Sequence, residues 1–321
     1  MRRLILTLTT LALGAWPAAA WNSLGHKTVA EIAWRQMNAG ERRAASDLLK
    51  HHPHYQLLLA TNVPAGVDSN EWAFLNAAIW PDMVAPAKPG QPSKPATITQ
   101  YNVYPHVIGL PFVRAGDAGR LSLKKFSVKE PNGQTGLVAS LAKLKDPRAG
   151  AQDRALALCW VLHLTGDLHQ PLHAATLVTK DKPHGNGAGS SFAVRDESGA
   201  PAKLHIFWDM LPGPETTYEA VAALASNLTA APDLAPAKLN EYQSHQTVAS
   251  WVQESFEAAV TFAYAEDRIQ FASWAAFESG KIPAKAVPAL RADYLREAHQ
   301  MARRRLALAG QRLADELKQV W

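Results

Sequence analysis

The segment from Leu156 to His173 reads LALCWVLHLTGDLHQPLH. Within it Leu156, Trp160, His163 and Asp167 fall at i, i+4, i+7 and i+11, one stripe of a helix. Leu156 and Trp160 mark that stripe as the buried one, and burying an imidazole and a carboxylate there is costly unless each has a partner. Two chemistries supply one. Either the pair hydrogen-bonds within a core, or an imidazole nitrogen and a carboxylate oxygen one turn apart hold a metal ion. Pro171 then stops the helix, and His173 returns just past its end. His205 and Asp209 repeat the i, i+4 spacing in KLHIFWD; Asp82 closes IWPD, and His106 sits in YPHVIG. Taken singly, Asp82 after a proline reads as a turn or cap residue, and His106 beside Tyr104 and Pro105 as a satisfied core histidine. His51, His52, His54 and His169 have no such partners and read as surface residues.

A mostly helical frame has to position these groups. His26, Val29, Ala33 and Met37 recur at helical spacing, as do Leu306, Leu313 and Leu317 near the other end. Helical patterns also cover roughly 41–50, 70–80, 150–168, 216–228, 245–265 and 286–318, whereas alternating strand patterns are weak and no internal repeat is present. Prolines 86, 89, 92 and 95 give Ala85–Ala96 a period of three, which predicts a polyproline-like loop. Thr179–Pro201 is rich in Gly and Ser and predicts a surface loop with a short hairpin at Ser191–Arg195. The candidate residues lie on both sides of each loop, so neither is a domain linker. The fold class expected is all-α: a single mostly helical domain with long loops.

Residues 1–20 have the layout of a secretory signal. Arg2 and Arg3 are followed by an apolar run from Leu4 to Trp16, too short for a convincing membrane span, and Ala18-Ala19-Ala20 offers small residues for cleavage before Trp21. Without that leader the chain keeps 301 residues and a formal charge of +3, ample for a large buried core and compatible with an anionic substrate. The single cysteine, Cys159, rules out an intramolecular disulfide and reads as a small buried apolar residue. Export without disulfides fits a bacterial periplasm or culture medium.

Taken together, the chain resembles the S1/P1 family of zinc-dependent single-strand nucleases, relatives of zinc phospholipase C. The resemblance rests on Trp21 with Gly25-His26, Ala78 to Asp82, His163 with Gly166-Asp167 and Gln170-Pro171-Leu172-His173, and Leu204-His205 with Trp208-Asp209; Trp251–Tyr264 and Leu306–Leu313 are similar to the family's last helices. It implies three Zn2+ ions. One would be held by Asp82, His106, His163 and Asp167, a second by Trp21 and His26 with Asp167 bridging, and the third by His173, His205 and Asp209. Trp21 would bind through its α-amino nitrogen and carbonyl oxygen. An amide nitrogen in an uncut precursor has its lone pair delocalised and cannot do this, so cleavage before Trp21 would create a ligand.

The implied activity is hydrolysis of single-stranded DNA and RNA to 5′-phosphorylated products by metal-activated hydroxide attack, with 3′-nucleotidase activity. Asp82 and Asp167 would be the catalytic acids, Asp82 orienting the nucleophile. Three dications against three carboxylates leave a site of about +3 with neutral histidines, suited to phosphate esters. Members of the family tend to follow the His106 position with an aromatic and an acid that hold the base; this chain has Val107 and Gly109 there. Substrate contacts are therefore expected from Phe112, Arg114 or the lysines of the proline-rich loop. Single-stranded nucleic acids and 3′-nucleotides are the expected partners, with no membrane span, no protein partner and a monomeric state. A zinc phospholipase C is the alternative enzyme, disfavoured by the short Trp21–His26 spacing and by Asp209 where a Glu is usual. A zinc-binding protein without catalysis is the third reading.

Overall fold

The computed structural model describes residues 21–321 apart from 88, 89, 125, 266 and 267, so the expected leader lies outside the described residues. In chain order the helices are α1 Ser23–Gln36, α2 Ala39–Leu49, α3 Ser69–Val84, α4 Ala96–Thr99, α5 Gly133–Lys145, α6 Ala151–Asp167, α7 Pro171–Ala174, α8 Leu204–Asp209, α9 Tyr218–Thr229, α10 Asn240–Ser244, α11 Val248–Ala258, α12 Trp274–Glu278 and α13 Ala292–Lys318. Strands are few and short. β1 (Leu110–Phe112) pairs in parallel with β2 (Ala175–Leu177), and a second sheet runs in the order β4 (Pro201–Lys203), β3 (Phe192–Arg195), β5 (Ala272–Ser273). The fold is mostly helical, as the periodicity predicts. No helix among the described residues is long and apolar enough to cross a membrane.

The core is built around α6. Nearly all of it from Ala155 onward is buried, Cys159, Trp160, His163 and Asp167 included, with Leu156 only partly so. It packs against α5, α3 and α13, while α1 packs on α13, α9 and α3. The ends of these helices are set by their sequences. Asn22 caps α1 by accepting from the Gly25 N–H, and Asp68 caps α3 through the Asn70 N–H. Pro81 lies inside α3, yet the helix runs on to Val84, so Asp82 is a helical residue and not the turn residue its motif suggests. Gln170 caps α7, where Pro171 occupies the first turn and needs no N–H partner.

Three of the four histidines read as surface residues are buried; only His51 is exposed. His169 lies beneath α13 with both ring nitrogens engaged, Nδ1 on the Thr165 carbonyl at 2.7 Å and Nε2 at 2.7 Å from Arg312 Nη1. Arg312 and Arg305 share Glu254 of α11, and Arg305 also donates to the His169 carbonyl at 2.9 Å. His52 and His54 are covered by Trp80, whose indole N–H donates to His54 Nδ1 at 3.1 Å. The 179–201 loop is also less exposed than its composition suggests. Asn186 is fully buried and accepts from the Leu177 N–H, and β3 of the expected hairpin pairs with β4 and also with β5.

Candidate metal centre

Eight of the nine expected ligands bring their side chains into three clusters: His26, His163 and Asp167; Asp82, His106 and His163; and His173, His205 and Asp209. In each, the potential ligand atoms lie within 4.8 Å of one another. Helix packing brings the first together. α1 and α3 flank α6, so His26 of α1 reaches across to Asp167, with Nε2 3.3 Å from Oδ1. The other oxygen of Asp167 faces His106 Nδ1 and His163 Nε2, each at 3.3 Å. One carboxylate therefore turns its two oxygens toward two different sets of imidazoles. The His26 ring stacks on His163 at 4.0 Å between centroids, and it also lies against Gly166, where a Cβ would sit 2.8 Å from Nδ1. Glycine is required at that position by the approach of the ring. Gly25 plays the same part for Trp21: a Cβ there would fall 2.5 Å from the Cβ of Trp21, which is fully buried. The neighbouring Asn22 N–H donates to the Asp209 carbonyl, tying the start of the described chain to the third cluster.

Short strands bring the remaining residues in. β1 pairs with β2, and the Ile108 N–H donates to the His173 carbonyl at 2.8 Å, which sets His106 beside His173. His173 Nδ1 in turn lies 3.0 Å from the His106 carbonyl, leaving Nε2 to face the third cluster. His205 Nδ1 lies 2.7 Å from the carbonyl of Ala188, a non-glycine residue held at φ +54°. His163 Nδ1 lies 2.7 Å from the Ala78 carbonyl. Each such contact assigns the proton to Nδ1 and leaves an Nε2 lone pair for a cation, the usual arrangement of a metal-ligating histidine. Gln170 Nε2 donates to Asp209 Oδ1 at 2.8 Å and fixes that carboxylate.

Electrostatics points the same way. Burial, with His106 nearby, pushes His26 down to about 3, and burial likewise drives His163 and His173 well below the ordinary histidine value. These imidazoles are neutral donors, the form a metal requires. Burial pushes the Asp167 carboxyl up to about 7, against the pull of His106. Both Asp167 oxygens, both His26 nitrogens and His173 Nε2 are buried without hydrogen-bond partners. His163 Nε2 and His106 Nδ1 meet at 2.8 Å. Unsatisfied buried polar atoms of this kind are rare in folded proteins, and cations placed among them would satisfy the carboxylate oxygens and the lone-pair nitrogens. The nitrogen and oxygen donor set fits zinc.

Two cavities open onto the clusters. One, of about 470 Å3, is lined by Asp82, Lys94, Asn102, Tyr104 and His106 among others. The second, of about 460 Å3, has Val107, Gly109, Phe126, His173 and His205 in its wall. Phe112 and Arg114, expected at the substrate, line neither. Phe112 packs on Phe256 and Tyr264, and Arg114 donates to the Tyr264 carbonyl with its guanidinium over Phe271. Phe126 and Tyr104 were not singled out from sequence as substrate contacts, because only the folding of loops far apart in the chain gives them a place beside the clusters.

A sequence profile described as S1/P1 Nuclease matches residues 21–321, beginning at Trp21 and covering nearly the whole chain. The chain is also similar to a protein of Aspergillus oryzae named Nuclease S1, with 28% identity over 210 residues. That stretch is 65% of this chain and 59% of the relative's length, so the likeness spans under two thirds of each. Every cluster residue except His106 comes from the motifs that carry the resemblance, and the profile match spans all of the clusters: the chain belongs to the S1/P1 nuclease family.

Proposed function

We propose that the protein is a zinc-dependent phosphodiesterase that cleaves single-stranded DNA and RNA to 5′-phosphorylated products and also hydrolyses 3′-nucleotides. The observation that carries this reading is the group of buried imidazole nitrogens and carboxylate oxygens without hydrogen-bond partners, gathered about His106, which lines both cavities. Asp82, His106, His163 and Asp167 would hold one zinc, Trp21 and His26 with the second oxygen of Asp167 another, and His173, His205 and Asp209 a third. When bound, zinc supplies Lewis acidity toward phosphate oxygens and makes water acidic enough to lose a proton near pH 7.

The protein's own groups do the positioning. Asp82 is the partly exposed carboxylate, with a side chain 20% accessible at the cavity wall, and it orients the attacking water by accepting its hydrogen bond. Asp167, His26 and His163 are inaccessible and hold the centre rigid, while His106, like Asp82, shows an edge to the cavity. The Phe126 and Val107 cavity takes the base of the nucleotide being cleaved. A base must leave a duplex to enter it, which favours single strands. We further propose that residues 1–20 are a secretory signal and that removing them frees the α-amino group of Trp21 for its place at the centre.

The test uses protein beginning at Trp21, loaded with zinc and incubated with an end-labelled single-stranded oligonucleotide and its duplex, with product ends mapped. Cleavage of the single strand leaving 5′-phosphates, abolished by Asp167→Asn, is expected. Full zinc content with no hydrolysis of either nucleic acid would overturn the reading.

A further inference from the structure

The two cavities are separated by a ridge that lines both: Pro105, His106 and Pro131. A linear substrate whose reacting phosphate lies at His106 therefore has a pocket on each side. The cavity on the Asp82 side is furnished differently from its neighbour. Lys94 is the only lysine or arginine among the described residues that line it. Its ammonium donates to the carbonyls of Met83 at 2.8 Å and Ala85 at 2.7 Å. These carbonyls are at the end of α3, where a helix leaves acceptors unpaired and favours a cation. An ammonium has three N–H groups, so the pair of bonds fixes the charge in place and leaves one proton for a ligand. Tyr104 lines the same cavity with its ring set edge-on to Trp160, 5.2 Å between centroids, and Gln91 and Asn102 add amide side chains. A fixed cation, a fixed aromatic ring and amides beside a phosphoryl-transfer centre are the elements of a site for one nucleotide of a single strand.

We propose that this cavity is a second nucleotide subsite, in which Lys94 binds the phosphate next to the scissile one and Tyr104 stacks on the base. The proposal rests on the phosphodiesterase reading. Lys94 lines the same cavity as Asp82, held by the carbonyls one and three residues beyond it, so a strand that extends from the clusters into this cavity meets its charge. A 3′-mononucleotide has no such second phosphate and does not use Lys94.

The experiment compares zinc-loaded wild type, Lys94→Met and Lys94→Arg on a 3′-mononucleotide, a short oligothymidylate, and the same oligomer with methylphosphonates flanking a single cleavable phosphodiester. Lys94→Met is expected to lower kcat/KM on the oligomer about 3- to 10-fold, chiefly through KM, and to leave the mononucleotide within twofold. Neutral flanking groups should cost the wild type a similar factor and cost Lys94→Met nothing further. Binding of a labelled oligomer, followed by fluorescence anisotropy, should show a salt slope shallower by about 0.7 in Lys94→Met, the loss of one phosphate contact, and Lys94→Arg should restore it. Zinc content and Tm, measured alongside, expose a general defect from freeing the α3 carbonyls. Equal losses on mononucleotide and oligomer, or an unchanged salt slope, would overturn the proposal. A wild type that binds the oligomer with a Lys94-dependent slope but hydrolyses nothing would instead overturn the catalytic reading alone.

Discussion

Gly166→Ala adds one methyl group at the place where the His26 ring meets α6. A Cβ there would lie 2.8 Å from His26 Nδ1 and 3.1 Å from Cε1, against the 3.4 Å at which ordinary contact begins. The ring must move by about 0.6 Å, because the new methyl sits on helix backbone and cannot yield. His163 stacks on the same imidazole at 4.0 Å, and Asp167 Oδ1 is 3.3 Å from Nε2, so the displacement is taken up at the candidate ligands. Metal ligands tolerate only about 0.2 Å of error in distance. Stability responds less than this. Alanine is favoured over glycine inside a helix by about 1 kcal/mol, while overpacking costs about 1–3 kcal/mol, so the net loss is about 0–2 kcal/mol. At roughly 2 °C per kcal/mol for a chain of this size, the metal-free protein should lose no more than about 4 °C. The zinc-loaded protein should lose one equivalent of zinc and most of its hydrolytic activity. Elemental analysis, thermal melts with and without chelator, and initial rates on one oligonucleotide measure the three effects. Full zinc and wild-type activity in Gly166→Ala would refute the claim that glycine is there to admit the His26 ring to the centre.

Two further perturbations address the start of the chain and the histidines outside the centre. Protein carrying one extra residue before Trp21 should bind one zinc fewer than protein beginning at Trp21, by elemental analysis, because an amide replaces the amine; equal zinc and equal activity would count against Trp21 as a ligand. Burial, with His54 adjacent, holds His52 down at about 3, and its Nδ1 accepts the His54 N–H. The unfolded chain takes up this proton near 6.5 and the folded one only near 3, so stability falls as the pH drops between those values, by at most about 1.4 kcal/mol per pH unit. His52→Phe should flatten that part of the acid-unfolding curve followed by circular dichroism, and an unchanged slope would show that His52 does not carry it.

How much of this centre can be read in the chain depends on how far each contact reaches. His163 with Asp167 and His205 with Asp209 are legible as pairs because a helix converts a spacing of four into a shared face. Asp82 and His106 are ambiguous as motifs and acquire a role only from their resemblance to a family pattern. Their meeting depends on α3 packing against α6 and on the β1–β2 ladder, two three-residue strands too short to show alternation. His169 is the instructive failure. Four residues before His173 and two after Asp167, it looks as available as either, but its ring is claimed by Thr165 and by Arg312, which lies 143 positions away. Helix α5 is missed for a related reason: Gly133 and Gly136 lower the local propensity, and burial against α6 outweighs them. In each case a local signal is overruled by a partner distant in the chain. Lys94 differs in reach: it is one of the proline-rich-loop lysines expected at the substrate, and its partners Met83 and Ala85 lie only 11 and 9 positions away. Its charge gains a fixed position only when the end of α3 supplies two carbonyls to hold it, so its role is decided by what the fold puts beside it.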